Sequence, residues 1–257
     1  MEALIIAFSM YSRIPMPNVE WNEKNTKSVM LFLPLVGSVL GILSVGLLLA
    51  ARRLAIGELP TALLFVALYI FYTGGIHLDG FADTADARHS YLGKEKRRRI
   101  LADPHIGAFG VIRLFLFFVL AIAGVLLVLE KMPEGRLLNF AFIIPVSARM
   151  LVTFAVAYLP AARKEGLYYT FSGERNGIPL KAAAIVEMLI LSVLALYELG
   201  WIGAGILIYY IIIYFFAKRF SMEDFGGMSG DLSGWLLCVA ELGALYAGIA
   251  AGFAGLR

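Results

Sequence analysis

Residues 109–130 read FGVIRLFLFFVLAIAGVLLVLE, with one charge inside the run, Arg113, and one at its end, Glu130. An α-helix rises about 1.5 Å per residue, so this run alone crosses the roughly 30 Å hydrocarbon layer of a bilayer. Its apolar residues are not confined to one stripe, as they would be on the surface helix of a soluble domain. Working outward, the same length criterion places helices near 28–51, 59–76, 138–160, 179–200, 201–218 and 232–256. About seven spans result. The boundary between the fifth and sixth rests on a tight turn at Glu198, Gly200 and Trp201. The stretch Ala3 to Met10 follows the acidic Glu2 and is too short for a span or a secretory signal, so it is expected to lie in the interface or to re-enter.

Composition agrees. With 60% hydrophobic residues in 257 and a mean hydropathy of +0.81, the chain carries more apolar surface than one soluble core can bury. The reading is an all-α, polytopic integral membrane protein, with 1–257 as one membrane-embedded domain. The single Cys238 cannot form an intrachain disulfide, and His77, His89 and His105 do not fall at zinc-site spacing. No basic and aromatic pattern points to nucleic acid, and the net charge of +3 adds little. Membrane lipid is the expected surrounding, and a homo-oligomer is compatible with the sequence.

Orientation follows from Lys and Arg, which accumulate in cytoplasmic loops. Of the 22, fifteen fall on one side: Arg13, Lys24 and Lys27; Arg88 and the run Lys94 to Arg99; Arg163, Lys164, Arg175 and Lys181; Lys218 and Arg219. The other side has Arg52, Arg53, Lys131, Arg136 and Arg257, while Arg113 and Arg149 fall within spans. The first side is therefore assigned to the cytoplasm. One pattern occurs twice on that side, Gly74-Gly75-Ile76-His77-Leu78-Asp79 and Gly226-Gly227-Met228-Ser229-Gly230-Asp231, both Gly-Gly-x-x-x-Asp. Two distant segments are thus expected to meet there.

The first copy runs on through Gly80-Phe81-Ala82-Asp83-Thr84-Ala85-Asp86-Ala87-Arg88, which puts Asp79, Asp83 and Asp86 at i, i+4 and i+7 on one helix face. Like charges at that spacing repel, more strongly where the dielectric falls. A hard divalent cation, Mg²⁺ or Ca²⁺, would compensate them, and Asp231 could supply a further ligand. The competing reading is a solvated acidic helix start, with Asp79 as cap and Asp83 favoured by the dipole. The basic run Lys94 to Arg99 reads as an anchor on anionic lipid or as a phosphate site. Asp103-Pro104-His105-Ile106-Gly107-Ala108-Phe109-Gly110 is a turn-rich helix entry whose free N–H groups could meet an anion. Within the spans, Arg113, Arg149, Glu187 and Glu241 are ionisable. Arg149 and Glu241 both come out near the midplane, as a buried pair or as substrate contacts.

At these residues the sequence closely resembles the cobalamin synthase family, the adenosylcobinamide-GDP ribazoletransferases. The resemblance covers nearly the whole chain in order: Ser12-Arg13-Ile14-Pro15, the string from Gly74 to Asp86, Asp103 to Gly110, Gly226 to Asp231, and Glu241. Ala87, Ala102 and Ser229 depart from residues common there, and Ala102 removes any role for a lysine at that position. The resemblance implies a Mg²⁺-assisted transfer in which α-ribazole, or its 5'-phosphate, attacks the pyrophosphate of adenosylcobinamide-GDP and releases GMP. Mg²⁺ would be held by Asp79, Asp83 and Asp231, while Asp86 would orient or deprotonate the hydroxyl, with Asp79 and Asp83 sharing in catalysis. Substrate contacts are expected at His77, Arg88, Arg13, Asp103, His105 and Arg113. Two other readings compete. A CDP-alcohol phosphotransferase also uses an Asp-rich helix, but its paired-aspartate spacing is lacking here. A secondary transporter would account for Arg149, Glu187 and Glu241, but places its site at the midplane rather than at one face.

Overall fold

The computed structural model describes residues 1–90 and 93–255, without the side chains of 23, 24 and 253–255. The Lys24 side chain, Arg257 and the end of the last expected span at 256 lie outside the described residues. The chain is 82% helical, with no strand among the described residues. In order, the helices are α1 (Glu2–Tyr11), α2 (Glu23–Thr26), α3 (Leu33–Arg53), α4 (Glu58–Thr73), α5 (Ile76–His89), α6 (Lys94–Ile100), α7 (Ala108–Lys131), α8 (Glu134–Tyr158), α9 (Gly166–Phe171), α10 (Gly173–Leu199), α11 (Trp201–Asp224) and α12 (Gly230–Gly255).

Among the described residues six helices are long and apolar enough to cross a bilayer by themselves: α3 with the 3-10 turn Val29–Phe32 that leads into it, α7, α8, α10, α11 and α12. The seventh expected span is α4, which ends at Gly74 and Gly75 with φ of 66° and 81°. That left-handed pair, which a Cβ would disfavour, turns the chain by 94° into α5. The acidic helix therefore leaves the span almost at a right angle instead of continuing it. Other boundaries shift modestly. α10 begins at Gly173, ahead of the expected 179, because helix resumes across a break at Gly177 with φ of 65°. α11 continues to Asp224, past the expected 218. α1 buries Ile6 and Ala7 against the 3-10 turn and α3, which suits a short apolar helix with no length to span.

α8 is the central helix. α3 packs closely on it because Gly37 and Gly41 carry no side chain; a Cβ there would lie 2.6 Å from the Pro145 carbonyl oxygen and 2.8 Å from that of Phe142. By contrast α7, α10 and α11 leave large apolar side chains uncovered, such as Phe115, Val193 and Phe215, as lipid-facing helices do. The fully buried Arg149 donates from Nη1 to Glu241 Oε1 at 2.7 Å and to the Pro145 carbonyl at 2.8 Å, so the expected buried pair forms between α8 and α12. Glu187 makes no ion pair among the described residues.

Contacts between loops group the helix ends as the charge count requires. On one face Lys94 Nζ donates to the Met222 carbonyl at 2.9 Å, and Arg97 pairs with Asp224. There too the Ala162 N–H donates to the Met228 carbonyl and the Met228 N–H to the Pro160 carbonyl, both at 2.8 Å. On the other face Arg52 pairs with Glu134 at 3.1 Å.

Candidate active site at the crossing of α5 and α12

α5 buries His77, Gly80, Thr84 and Ala87 on one side and presents Asp79, Asp83 and Asp86 on another. Its buried side crosses the start of α12. Gly80 makes the crossing possible: a Cβ there would stand 2.6 Å from the Asp231 carbonyl oxygen and 2.8 Å from Asp231 Cα. Gly234 does the same from the other helix, where a Cβ would meet the His77 carbonyl at 3.1 Å. The two Gly-Gly-x-x-x-Asp segments do meet, and small residues set how closely.

Asp83 lies at the centre of the carboxylates. Burial, and then the charges of Asp79, Asp231 and Asp86 in that order, push its pKa from the ordinary 3.8 up to about 6. Asp79, Asp83 and Asp231 form no ion pair with Lys, Arg or His among the described residues. Part of the repulsion is met by helix ends. Asp79 and Asp231 sit in the first turns of α5 and α12, and Ser229 caps α12 by accepting from the Leu232 N–H at 3.2 Å.

Asp86 has a definite partner. Its two oxygens accept from the N–H of Gly107 at 2.7 Å and of Gly110 at 2.9 Å, at the start of α7. The free N–H groups that the sequence offered to an anion thus receive this chain's own carboxylate. A Cβ at Gly107 or Gly110 would strike that carboxylate, which accounts for both glycines. Sequence reasoning gave no partner for Asp86, although an acidic helix and a glycine-bearing helix start about twenty residues apart held the signal.

The other expected residues are dispersed. The Arg13 side chain lies over Gly74, and the Arg13 main-chain N–H donates to the Tyr72 carbonyl at 2.7 Å. Arg88 lies 5.0 Å over the Phe220 ring and 3.9 Å from Asp224, both on α11. His77 is buried, stacks on Tyr11 at 5.9 Å and leaves Nε2 without a hydrogen-bond partner among the described residues. Asp103 and His105 pair with each other at 2.8 Å on the exposed loop, where that hydrogen bond holds the Asp103 carboxyl below its usual range. Arg113 is exposed on α7 and bonds to nothing described.

Among the described residues, no three carboxylates, histidines or thiols converge closely enough to enclose a metal ion by themselves. The donor chemistry nonetheless fits Mg²⁺, which keeps several waters and takes one or two carboxylates together with substrate phosphate oxygens. Asp79, Asp83 and Asp231 offer hard oxygens that pair with no cation among the described residues.

Comparison with known proteins extends these observations over the chain. It is 32% identical to the adenosylcobinamide-GDP ribazoletransferase of Lachnoclostridium phytofermentans across 94% of its own length and 91% of the relative's. The protein of that name from Desulfitobacterium hafniense is 34% identical, with 94% of each chain covered, and that from Clostridium botulinum 32%, with 95% and 96% covered. No solved structure matches the chain. The model of the cobalamin-5-phosphate synthase family matches residues 3–249, a range that takes in α5, the start of α7 and the start of α12 alike, and the chain belongs to that family of cobalamin-biosynthesis transferases.

Proposed function

We propose that this protein joins adenosylcobinamide-GDP to α-ribazole or its 5'-phosphate and releases GMP, at the cytoplasmic face of a prokaryotic inner membrane. The observation that carries the reading is the α5–α12 crossing, which puts Asp79, Asp83 and Asp231 within electrostatic reach of one another with no ion-pair partner among the described residues. An acceptor oxygen forms a bond to the phosphorus on the cobinamide side of the diphosphate. The bond from that phosphorus to the bridging oxygen breaks, and GMP leaves with the electron pair. Such transfers depend mainly on positioning and charge neutralisation. Mg²⁺, when bound, supplies positive charge to the diphosphate oxygens. Asp79, Asp83 and Asp231 would hold that ion. Asp86, fixed between the Gly107 and Gly110 N–H groups, keeps lone pairs free to orient the acceptor hydroxyl and take its proton.

Alanine at Asp79 or Asp83 is expected to abolish Mg²⁺-dependent formation of product by purified protein; full turnover in either variant contradicts the mechanism. Offering a CDP-alcohol donor and its acceptor instead separates the phosphotransferase reading, which predicts product from that pair. Transport predicts solute accumulation in sealed vesicles with no covalent product. The Arg149–Glu241 pair, bonded to itself within the bundle, gives transport no further support.

A further inference from the structure

The basic run Lys94 to Arg99 forms α6, and its cations do not all face outward. Lys94, Lys96 and Arg99 are exposed, while Arg97 and Arg98 are half-buried. Asp224 neutralises Arg97. Arg98 pairs with no carboxylate among the described residues. Its Nη1 donates to the Ala162 carbonyl at 3.2 Å, and its buried Nε has no hydrogen-bond partner among the described residues. Arg98 lines an open cleft of about 270 Å³, with Arg163 on the loop after α8 and Ser229 to Asp231 at the start of α12. That loop is tied to the second glycine pair by the Ala162 and Met228 main-chain bonds, so the walls are fixed relative to each other. Arg163 makes no hydrogen bond or ion pair among the described residues. Glu165 also lines the cleft, paired with neither arginine.

Two guanidinium groups with no carboxylate partner among the described residues, beside a 26-residue helix whose first N–H groups lack helical partners, suit a multiply charged oxyanion. Asp231, at the edge of the same cleft, would repel a bare phosphate but suits one that shares a divalent cation with the carboxylates. Leu101 and Leu167 supply an apolar wall of the kind a flat base lies against.

We infer that this cleft holds a nucleoside monophosphate unit, the half of the donor that leaves, with Arg98 and Arg163 on its phosphate oxygens and Asp231 toward the reacting phosphorus. The identity of that nucleotide rests on the transfer proposed above; capture of a phosphate does not. The chemistry is shared with anionic lipid headgroups, so both are tested. The full chain in phosphatidylcholine nanodiscs is titrated with GMP and with guanosine, with and without phosphatidylglycerol, as wild type, Arg98→Gln, Arg163→Gln and Arg99→Gln.

Each of the first two substitutions is expected to weaken GMP binding by about tenfold or more, the usual effect of losing a charge-assisted hydrogen bond. Arg99→Gln should leave GMP binding within twofold, and guanosine should bind all forms alike. In turnover, KM for the diphosphate donor should rise by a similar factor with kcat and acceptor KM little changed. Should Arg98→Gln fail to fold, the exposed and unbonded Arg163 carries the test alone. Unchanged GMP affinity in both variants overturns the inference, as does unchanged donor KM. It is overturned too if phosphatidylglycerol displaces GMP and the variants lose only lipid binding. Arginine-dependent GMP binding without any product supports the cleft and contradicts the transfer reading instead.

Discussion

Gly80→Ala tests the crossing of α5 and α12 with a single methyl group. The new Cβ would stand 2.6 Å from the Asp231 carbonyl oxygen and 2.8 Å from its Cα, main-chain atoms that cannot rotate aside. Ordinary contact begins near 3.4 Å, so the helices must separate by about 0.8 Å or slide. Overpacking of this kind costs about 1–3 kcal/mol. Alanine recovers about 1 kcal/mol of helix propensity relative to glycine. The net loss of stability is thus about 2 kcal/mol or less, and the variant should fold. The site suffers more, because Asp231 moves relative to Asp79 and Asp83, and a displacement near 1 Å between positioned groups can lower a rate by on the order of 100-fold. The expected result is turnover reduced about 10- to 100-fold, with a detergent melting temperature within several degrees of wild type. Gly46→Ala on α3, where a Cβ meets nothing within 4 Å, is the control and should keep full turnover. Wild-type turnover in Gly80→Ala would refute the claim that this crossing assembles the site.

Three further outcomes follow from the geometry. Asp86→Asn keeps one acceptor oxygen for the two N–H groups of Gly107 and Gly110, so it should lose about 1 kcal/mol of stability and much of the turnover, read by thermal melting and product formation. Arg149→Met leaves Glu241 buried without a partner and should cost about 3–5 kcal/mol, whereas Arg149→Met with Glu241→Leu should recover most of it, read as monodisperse protein after heating. Asp83 has a folded pKa of about 6 against an ordinary 3.8, so between those values the native state binds more protons than the unfolded chain. Stability without cation should therefore fall as pH rises from about 4 to 6 and level off above. Mg²⁺ at pH 7 should restore it, and Asp83→Asn should lose that slope, measured by melting across the pH series.

The spans were legible because apolar run length is a local property: 109–130 alone requires a bilayer, and the helix α7 over Ala108–Lys131 matches it closely. The carboxylate face was legible for the same reason, since Asp79, Asp83 and Asp86 needed only a helix to align them. The repeated Gly-Gly-x-x-x-Asp even announced that α5 and α12 would meet. What sequence did not reveal depends on direction and on distant partners. Nothing in Gly74-Gly75 fixes a turn of 94°, because two left-handed glycines allow several exits from a helix. The pairing of Asp86 with the start of α7 needs both the bend and the α5–α7 packing before it exists. Within Lys94 to Arg99 all the cations look alike in sequence, and only the docking of α6 on α11 turns Arg97 and Arg98 inward while leaving Arg99 outside.

The central claim is that the aspartates at this crossing serve a Mg²⁺-dependent transfer at a diphosphate. It is tested most directly by a mass-spectrometric time course with purified protein, adenosylcobinamide-GDP and α-ribazole or its 5'-phosphate, with Mg²⁺ and again with the cation removed by chelation. The account predicts cobalamin or its 5'-phosphate and GMP in equal amounts with Mg²⁺, almost none after chelation, and recovery when Mg²⁺ is returned. Equal product with and without the divalent cation, or GMP released with no corrin product, would contradict it.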